Sequence, residues 1–226
     1  MAIILNLETA TKTCSVSLAS NGKVIATREE KEEHFSHAEK LNLLIQEVLA
    51  LSQLSFHELD AVAVSAGPGS YTGLRIGTST AKGICYALDI PLISINSLKA
   101  LAALVKTEEK SLICPMFDAR RMEVYTAVYD SQLQQIKPTE AKVIDTDSFH
   151  DLLKKNHIIF CGPGAVKCEG IIHSPHAYFD FDTQVSAAGM ATLSEQKFNQ
   201  NEVEDMAYFE PAYLKDFIAG KPKKLL

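Results

Sequence analysis

No apolar run in these 226 residues approaches the ~20 needed to cross a bilayer as a helix, so a membrane-spanning helix is not expected. Nor is there an excess of cations. Twenty-two Lys and Arg stand against 28 Asp and Glu, a net charge of −6, which argues against a broad, unaided nucleic-acid surface because phosphate binding is driven by clustered Lys and Arg. Cysteine is sparse: five residues, an odd number, with no C-x-x-C pair, which excludes a simple disulfide framework. Cys14, Cys85, Cys114 and Cys161 lie in apolar runs and read as small core residues of a reducing compartment. There is no G-K-[ST] for a P-loop and no G-x-S-x-G elbow for a hydrolase nucleophile. The apolar segment Ala2 to Leu7 is not preceded by the basic region of a signal peptide, so the expectation is a cytoplasmic protein without a membrane partner. What remains is ordinary for a globular chain, 46% apolar and 22% charged, with ample length to bury a core.

The most informative stretch is Gly67-Pro68-Gly69-Ser70-Tyr71-Thr72-Gly73-Leu74-Arg75-Ile76-Gly77. Leu59 to Ser65 leads into it as a β-prone run. Gly67 and Gly69 permit positive φ, and Pro68 stiffens the corner. Ser70 or Thr72 can then cap a helix running to about Leu88. Gly73, Gly77 and Ala81 fall four apart and lay very small side chains along one face. Each Gly costs a helix roughly 1 kcal/mol, so the stripe implies that another backbone comes close. Arg75, Ser79, Lys82 and Tyr86 form a thin polar face, while Leu74, Ile76, Ile84 and Leu88 cover much of the rest. So little polar face implies burial or docking.

In chain order the first half reads β-β-β-α-β-α-β-α. The strands are Ile3–Leu7, Cys14–Leu18 with the alternation of a half-buried strand, Lys23–Arg28 after the hairpin signal Asn21-Gly22, Ala61–Ser65 and Pro91–Ile95. Ser36-x-x-Glu39 fits a capping box. The helix it opens carries Leu41, Leu44, Ile45 and Val48 on one face, and Ser97 caps another over Leu98 to Val105. The second half repeats this order: strands at Ser111–Phe117, Glu123–Tyr129 and Leu133–Ile136, a short helix Ser148–Lys155, and a strand His157–Cys161. That strand ends in Gly162-Pro163-Gly164, an echo of the first glycine corner. A short helix at Ala165–Ile171, a strand Ala177–Phe181 and a helix Ser186–Phe198 follow. The repetition predicts two α/β lobes, residues 1–105 and 106–204, each a mixed sheet flanked by helices, then a tail, 205–226. Between two such lobes lies a cleft, the usual place for a ligand.

Several groups carry candidate chemistry. The glycine corner is either a phosphate cradle at a helix start or a tight turn with close packing; its spacing, G-x-G-x-x-x-G, matches no nucleotide fingerprint. Glu8 and Asp118 follow the first strand of each half. They either hold a metal-nucleotide in the cleft, with Thr11 and Arg120 beside them, or accept hydrogen bonds from their own turns. Arg120 and Arg121 bind anions or pair with acids. His34-x-x-His37, after Glu32 and Glu33, has a metal-like look but no further ligand, so no metal site is expected. Lys215, Lys221, Lys223 and Lys224 make the tail basic.

Three stretches together resemble one family: Leu5-Asn6-Leu7-Glu8-Thr9-Ala10-Thr11 with Cys14-Ser15-Val16, the whole of Gly67 to Gly77, and Asp118-Ala119-Arg120-Arg121-Met122-Glu123-Val124-Tyr125. Glu210-Pro211-x-Tyr213-Leu214 adds a fourth. They are similar to the bacterial TsaB (YeaZ) family of tRNA threonylcarbamoyladenosine biosynthesis proteins. The resemblance implies a duplicated actin-like, Hsp70-like (ribonuclease H-like) fold and a non-catalytic role. It implies pairing with TsaD, a related subunit that transfers threonylcarbamoyl to the adenosine beside the anticodon, together with the ATPase TsaE. It also implies self-pairing when alone, contact with tRNA only through the complex, and no cofactor, weak ATP/Mg binding not being expected. The family pairs through two helices, here Ser36–Leu51 and Tyr71–Leu88. That makes Leu41, Leu44, Ile45, Val48, Tyr71, Gly73, Leu74, Ile76, Gly77, Thr80, Ala81 and Ile84 the expected partner-binding residues. Where the family usually has Asp, this chain has Glu8, which weakens any nucleotide role. An actin-fold ATPase or phosphotransferase using the interlobe cleft is the alternative.

Overall fold

The computed structural model describes residues 2–31, 37–107 and 110–215. The Ser36 cap, the Glu32-Glu33-His34 part of the histidine cluster and the lysines at 221, 223 and 224 lie outside them.

Two five-stranded sheets carry the chain. The first comprises β1 (Ile3–Glu8), β2 (Thr13–Ser20), β3 (Lys23–Lys31), β4 (Ala61–Ser65) and β5 (Leu92–Ile95), in the order β3-β2-β1-β4-β5. The second comprises β6 (Leu112–Asp118), β7 (Glu123–Tyr129), β8 (Gln135–Val143), β9 (Ile158–Cys161) and β10 (Ala177–Asp180), in the order β10-β9-β6-β7-β8. In each, three strands joined by hairpins pair antiparallel and the last two add in parallel beside the first. The two orders are one topology, so the duplication expected from element order is present strand by strand. The β2–β3 turn has the geometry its Asn21-Gly22 pair predicts, with φ of 51° and 70°, both positive as a type I′ hairpin requires.

Helix α1 (His37–Ser52) and helix α2 (Tyr71–Leu88) cover one face of the first sheet. Leu5, Leu7, Cys14, Val16 and Leu18 from the strands meet Leu41, Leu44, Ile45 and Val48 from α1 in a fully buried core. Ser70 caps α2, its hydroxyl accepting from Gly73 N at 3.2 Å, and Asp89 closes it in the left-handed region. Helix α3 (Ser97–Ala102) is capped by Asn96, which accepts from Lys99 N, and not by Ser97. The Ser97 hydroxyl instead accepts from Gly67 N at 3.1 Å and so holds the glycine corner.

The last helix of each half crosses to the other sheet. Helix α3 lies against β6 and β7 of the second sheet. The 3-10 turn Ala187–Met190 and helix α5 (Ala191–Asn199) lie on the far face of the first. There Ala187, Met190 and Leu193 cover Ile4, Ala61, Ala63, Ile93 and Ile95. Residues 186–199, expected in the second lobe, thus complete the first. This exchange corrects the reading of β2 as half-buried. Ser15 and Ser17 are fully buried: Ala187 N donates to Ser15 Oγ at 2.8 Å, and Ser17 Oγ donates to Ala187 O at 2.9 Å.

Elsewhere the second half departs from expectation in detail. Helix α4 is only His150–Leu153, and residues 164–171 form turns with no helix. All five cysteines are buried and free. Among the described residues no helix is long and apolar enough to cross a membrane.

Candidate functional site

Two places compete for function, the space between the lobes and the outer face of α2. At the first, the expected acids close their own turns. Asp118 Oδ1 accepts from Arg120 N at 2.9 Å, and Glu8 Oε1 accepts from Ala10 N at 2.6 Å. The same two-residue step recurs in both lobes. Asp118 is also bound by Lys167 Nζ. Burial pushes its carboxyl up, but Lys167 and the Arg120 N–H outweigh that and leave it below the ordinary aspartate value.

Glu8 is sealed. It is fully buried, and Oε2 meets no hydrogen-bond partner among the described residues. Burial pushes its pKa up to about 7 despite the lowering effect of the Ala10, Ser65 and Thr9 hydrogen bonds. Above it the turn after β1 is clamped by α2. Ser70 N donates to Ala10 O at 2.7 Å, and a Cβ on Gly69 would lie 2.5 Å from that same oxygen. A Cβ on Gly73 would strike the carbonyl of Thr9, and one on Gly77 its hydroxyl. From α1, His37 Nε2 donates to Thr11 O at 2.7 Å, so this histidine holds the turn. The expected cleft is crossed by an apolar cluster in which Ala10, Leu74, Leu98, Phe117, Tyr129 and Val185 meet.

This geometry corrects the site residues in one respect. The stripe admits a close approach at Gly73 and Gly77, but what approaches is Thr9 of the chain's own turn, and Ala81 packs in the chain's own core. Leu41, Leu44, Ile45, Val48 and Leu74 are likewise buried in the chain's own core and present nothing to a partner. Of the expected partner residues, Tyr71, Ile76, Thr80 and Ile84 keep part of their surface. Thr72, Arg75, Ser79, Gly83, Tyr86 and Ala87 complete the outer face of α2, and Tyr86 is 82% exposed. Nothing lies within 4 Å of a Cβ built on Gly83. The signal for Gly83 lay in the helical period: it falls on the face opposite Ala81, beside the polar residues. A groove of about 380 Å³ runs along this face, lined by Ala38, Tyr71, Thr72, Arg75, Ile76, Ser79 and Thr80.

The glycine corner is strapped from outside. Gly67 has φ of 100°, and a Cβ there would sit 2.6 Å from Ala212 O. Ala212 N donates to Ala66 O at 2.8 Å, placing Tyr213 on Tyr71 with ring centroids 4.9 Å apart. The corner is therefore a packing device in which Pro68 follows a cis peptide and Ser70 serves as cap.

Two duplicated five-stranded sheets with exchanged terminal helices define a two-lobed, actin-like α/β protein. The sequence pattern of the TsaD family, tRNA N6-adenosine threonylcarbamoyltransferase, matches residues 30–225. The chain is 34% identical to TsaB, the tRNA threonylcarbamoyladenosine biosynthesis protein, of Bacillus subtilis over 70% of each chain. It is 28% identical to TsaB of Escherichia coli over 96% of each. To the Haemophilus influenzae protein it is 36% identical, over 54% of this chain and 51% of that one. The solved structure of YeaZ from Pseudomonas aeruginosa superposes with a TM-score of 0.82 at 25% identity, covering 95% of this chain and all of that one. The chain belongs to the TsaD family, in its TsaB (YeaZ) branch.

Proposed function

We propose that this chain acts in tRNA threonylcarbamoyladenosine biosynthesis as a non-catalytic docking subunit. The outer face of α2 pairs with TsaD. With TsaE joining them, the assembly supports threonylcarbamoyl transfer to the adenosine next to the anticodon. Alone, the chain pairs with itself through the same face. Transfer RNA is met through the assembly, in the cytoplasm, and no nucleotide is required at this chain's own cleft.

The observation that carries this reading is the burial of Glu8. A metal-nucleotide site needs a carboxylate that the ligand can reach. Glu8 is instead fully buried, covered by the turn that α2 clamps. The net charge of −6 fits a subunit that reaches RNA through others.

Light scattering on a mixture with the cognate TsaD tests it. A Gly83→Phe variant places bulk on the open face without touching the core, and the heterodimer mass should be lost while the monomer stays folded. Calorimetry with ATP and magnesium should give no tight binding. Tight binding abolished by Glu8→Gln would support the ATPase alternative instead.

A further inference from the structure

The docking face carries one feature that small side chains alone do not explain. Arg75 is exposed on α2, yet its guanidinium is fixed. Its carbon lies 4.2 Å from the centroid of the Tyr71 ring, and Nε donates to the Tyr213 hydroxyl at 3.3 Å. Tyr213 in turn is held by the strap, through the Ala212 N–H on Ala66 O, and packs against Tyr71 with the rings tilted by 43°. Both groups that fix Arg75 are neutral.

Six other cations of the described residues are held in ion pairs. Arg28, Lys40, Lys142, Lys154, Lys167 and Lys215 each have a carboxylate within ion-pair distance. Arg75 has none among the described residues, although Glu210 on the strap lies near enough to favour its charge. In a chain with 28 acids and 22 bases, a guanidinium pinned by two tyrosines in the lining of a groove is pre-oriented for an anion from outside. The hydroxyls of Thr72, Ser79 and Thr80 line that groove beside it.

We infer that Arg75 receives a carboxylate from a helix of the partner subunit that lies along α2. A planar guanidinium whose Nε is already engaged keeps its terminal N–H groups for a carboxylate fork. Because the side chain is already ordered, little rotamer entropy opposes the contact. Gly83 and Ala87 provide low ground on which the rest of that helix rests. Tyr213 is a positioning residue: it touches no partner atom and acts by aiming Arg75. The anion is a protein side chain and not a free phosphate, because the groove around Arg75 is mixed, with Ala38 and Ile76 in its lining and no second cation.

This inference rests on the docking reading, so the experiment separates the two. Binding of full-length chain to the cognate TsaD is measured by calorimetry and the complex mass by light scattering, for wild type, Arg75→Gln, Arg75→Glu, Arg75→Lys, Tyr213→Phe and Gly83→Phe. Removing one member of a buried charge pair weakens association by about thirtyfold or more. Arg75→Gln should show that loss and Arg75→Glu a larger one. Arg75→Lys should recover part of it, and Tyr213→Phe should fall between wild type and Arg75→Gln. Thermal melts of each isolated variant establish folding, and Arg75→Gln, which keeps size and polarity, stands in if Arg75→Glu unfolds. Affinities for Arg75→Gln and Arg75→Glu within about threefold of wild type, with Gly83→Phe still disruptive, would overturn the carboxylate and leave the docking face standing. If Gly83→Phe also binds normally, the docking reading itself falls. Charge sensitivity seen only in the self-pair, with the complex with TsaD unaffected by Arg75→Gln and Arg75→Glu, would overturn the choice of partner.

Discussion

The inward use of the glycine stripe makes a pair of substitutions on one helix differ in sign. At Gly73 an added Cβ meets the backbone carbonyl of Thr9 and lies 3.0 Å from the His37 ring. A carbonyl in a clamped turn cannot rotate away as a side-chain end can. Either α2 lifts or the turn after β1 shifts, and the Ser70 N to Ala10 O bond beside it lengthens. Overpacking of this kind costs about 1–3 kcal/mol, and Gly73 is too near the helix start to regain much from propensity. At Gly83, exposed in the interior of the same helix with nothing within 4 Å, alanine meets no atom and recovers up to about 1 kcal/mol. For a chain of this size each kcal/mol moves the melting point by about 2–4 °C. Gly73→Ala should therefore melt several degrees below wild type and Gly83→Ala a few degrees above it, by thermal circular dichroism or calorimetry. Equal stabilisation by both would refute the claim that the stripe faces the chain's own turn.

Two further outcomes follow from burial. Glu8 titrates near 4.5 when unfolded and at about 7 when folded, so the native state holds its proton longer. This group's contribution to stability is full below pH 4.5, declines as pH rises to about 7, and stays low above it, an effect of about 3 kcal/mol. Glu8→Gln, which cannot ionise, should gain on wild type as pH is raised from about 5 to about 8 in urea titrations; a constant difference would contradict a raised pKa. Residues 1–105 alone leave Ile4, Ala63 and Ile93 uncovered, because Ala187, Met190 and Leu193 complete that face. The fragment should be aggregated or molten by near-UV dichroism and light scattering, whereas a cooperative, monomeric melt would show that the exchanged helix is dispensable.

Much of the architecture was legible from the chain. Asn21-Gly22, the two glycine corners and the alternation in Glu123–Tyr129 are local signals, and local signals set element order. The strand topology followed because two hairpins and a parallel addition leave few alternatives. What escaped was long-range. Ser15 and Ser17 look solvent-facing until a segment some 170 positions later accepts and donates their hydrogen bonds. No residue in Ser97–Ala102 or Ala191–Asn199 announces which sheet it will cover. Gly73 and Gly77 announced close approach correctly, but a small side chain is silent on whether the approaching segment belongs to its own chain. Arg75 and Tyr213 are 138 positions apart, and their pairing depends on a strap whose path only the folded chain reveals.

The most direct measurement is the threonylcarbamoyladenosine content of tRNA in cells depleted of this protein and supplied with Glu8→Gln or Gly83→Phe. A sealed Glu8 and a docking outer face predict that Glu8→Gln restores the modification and Gly83→Phe, expressed to the same level, does not. Restoration by Gly83→Phe together with failure of Glu8→Gln would place the function in the cleft and contradict the docking role.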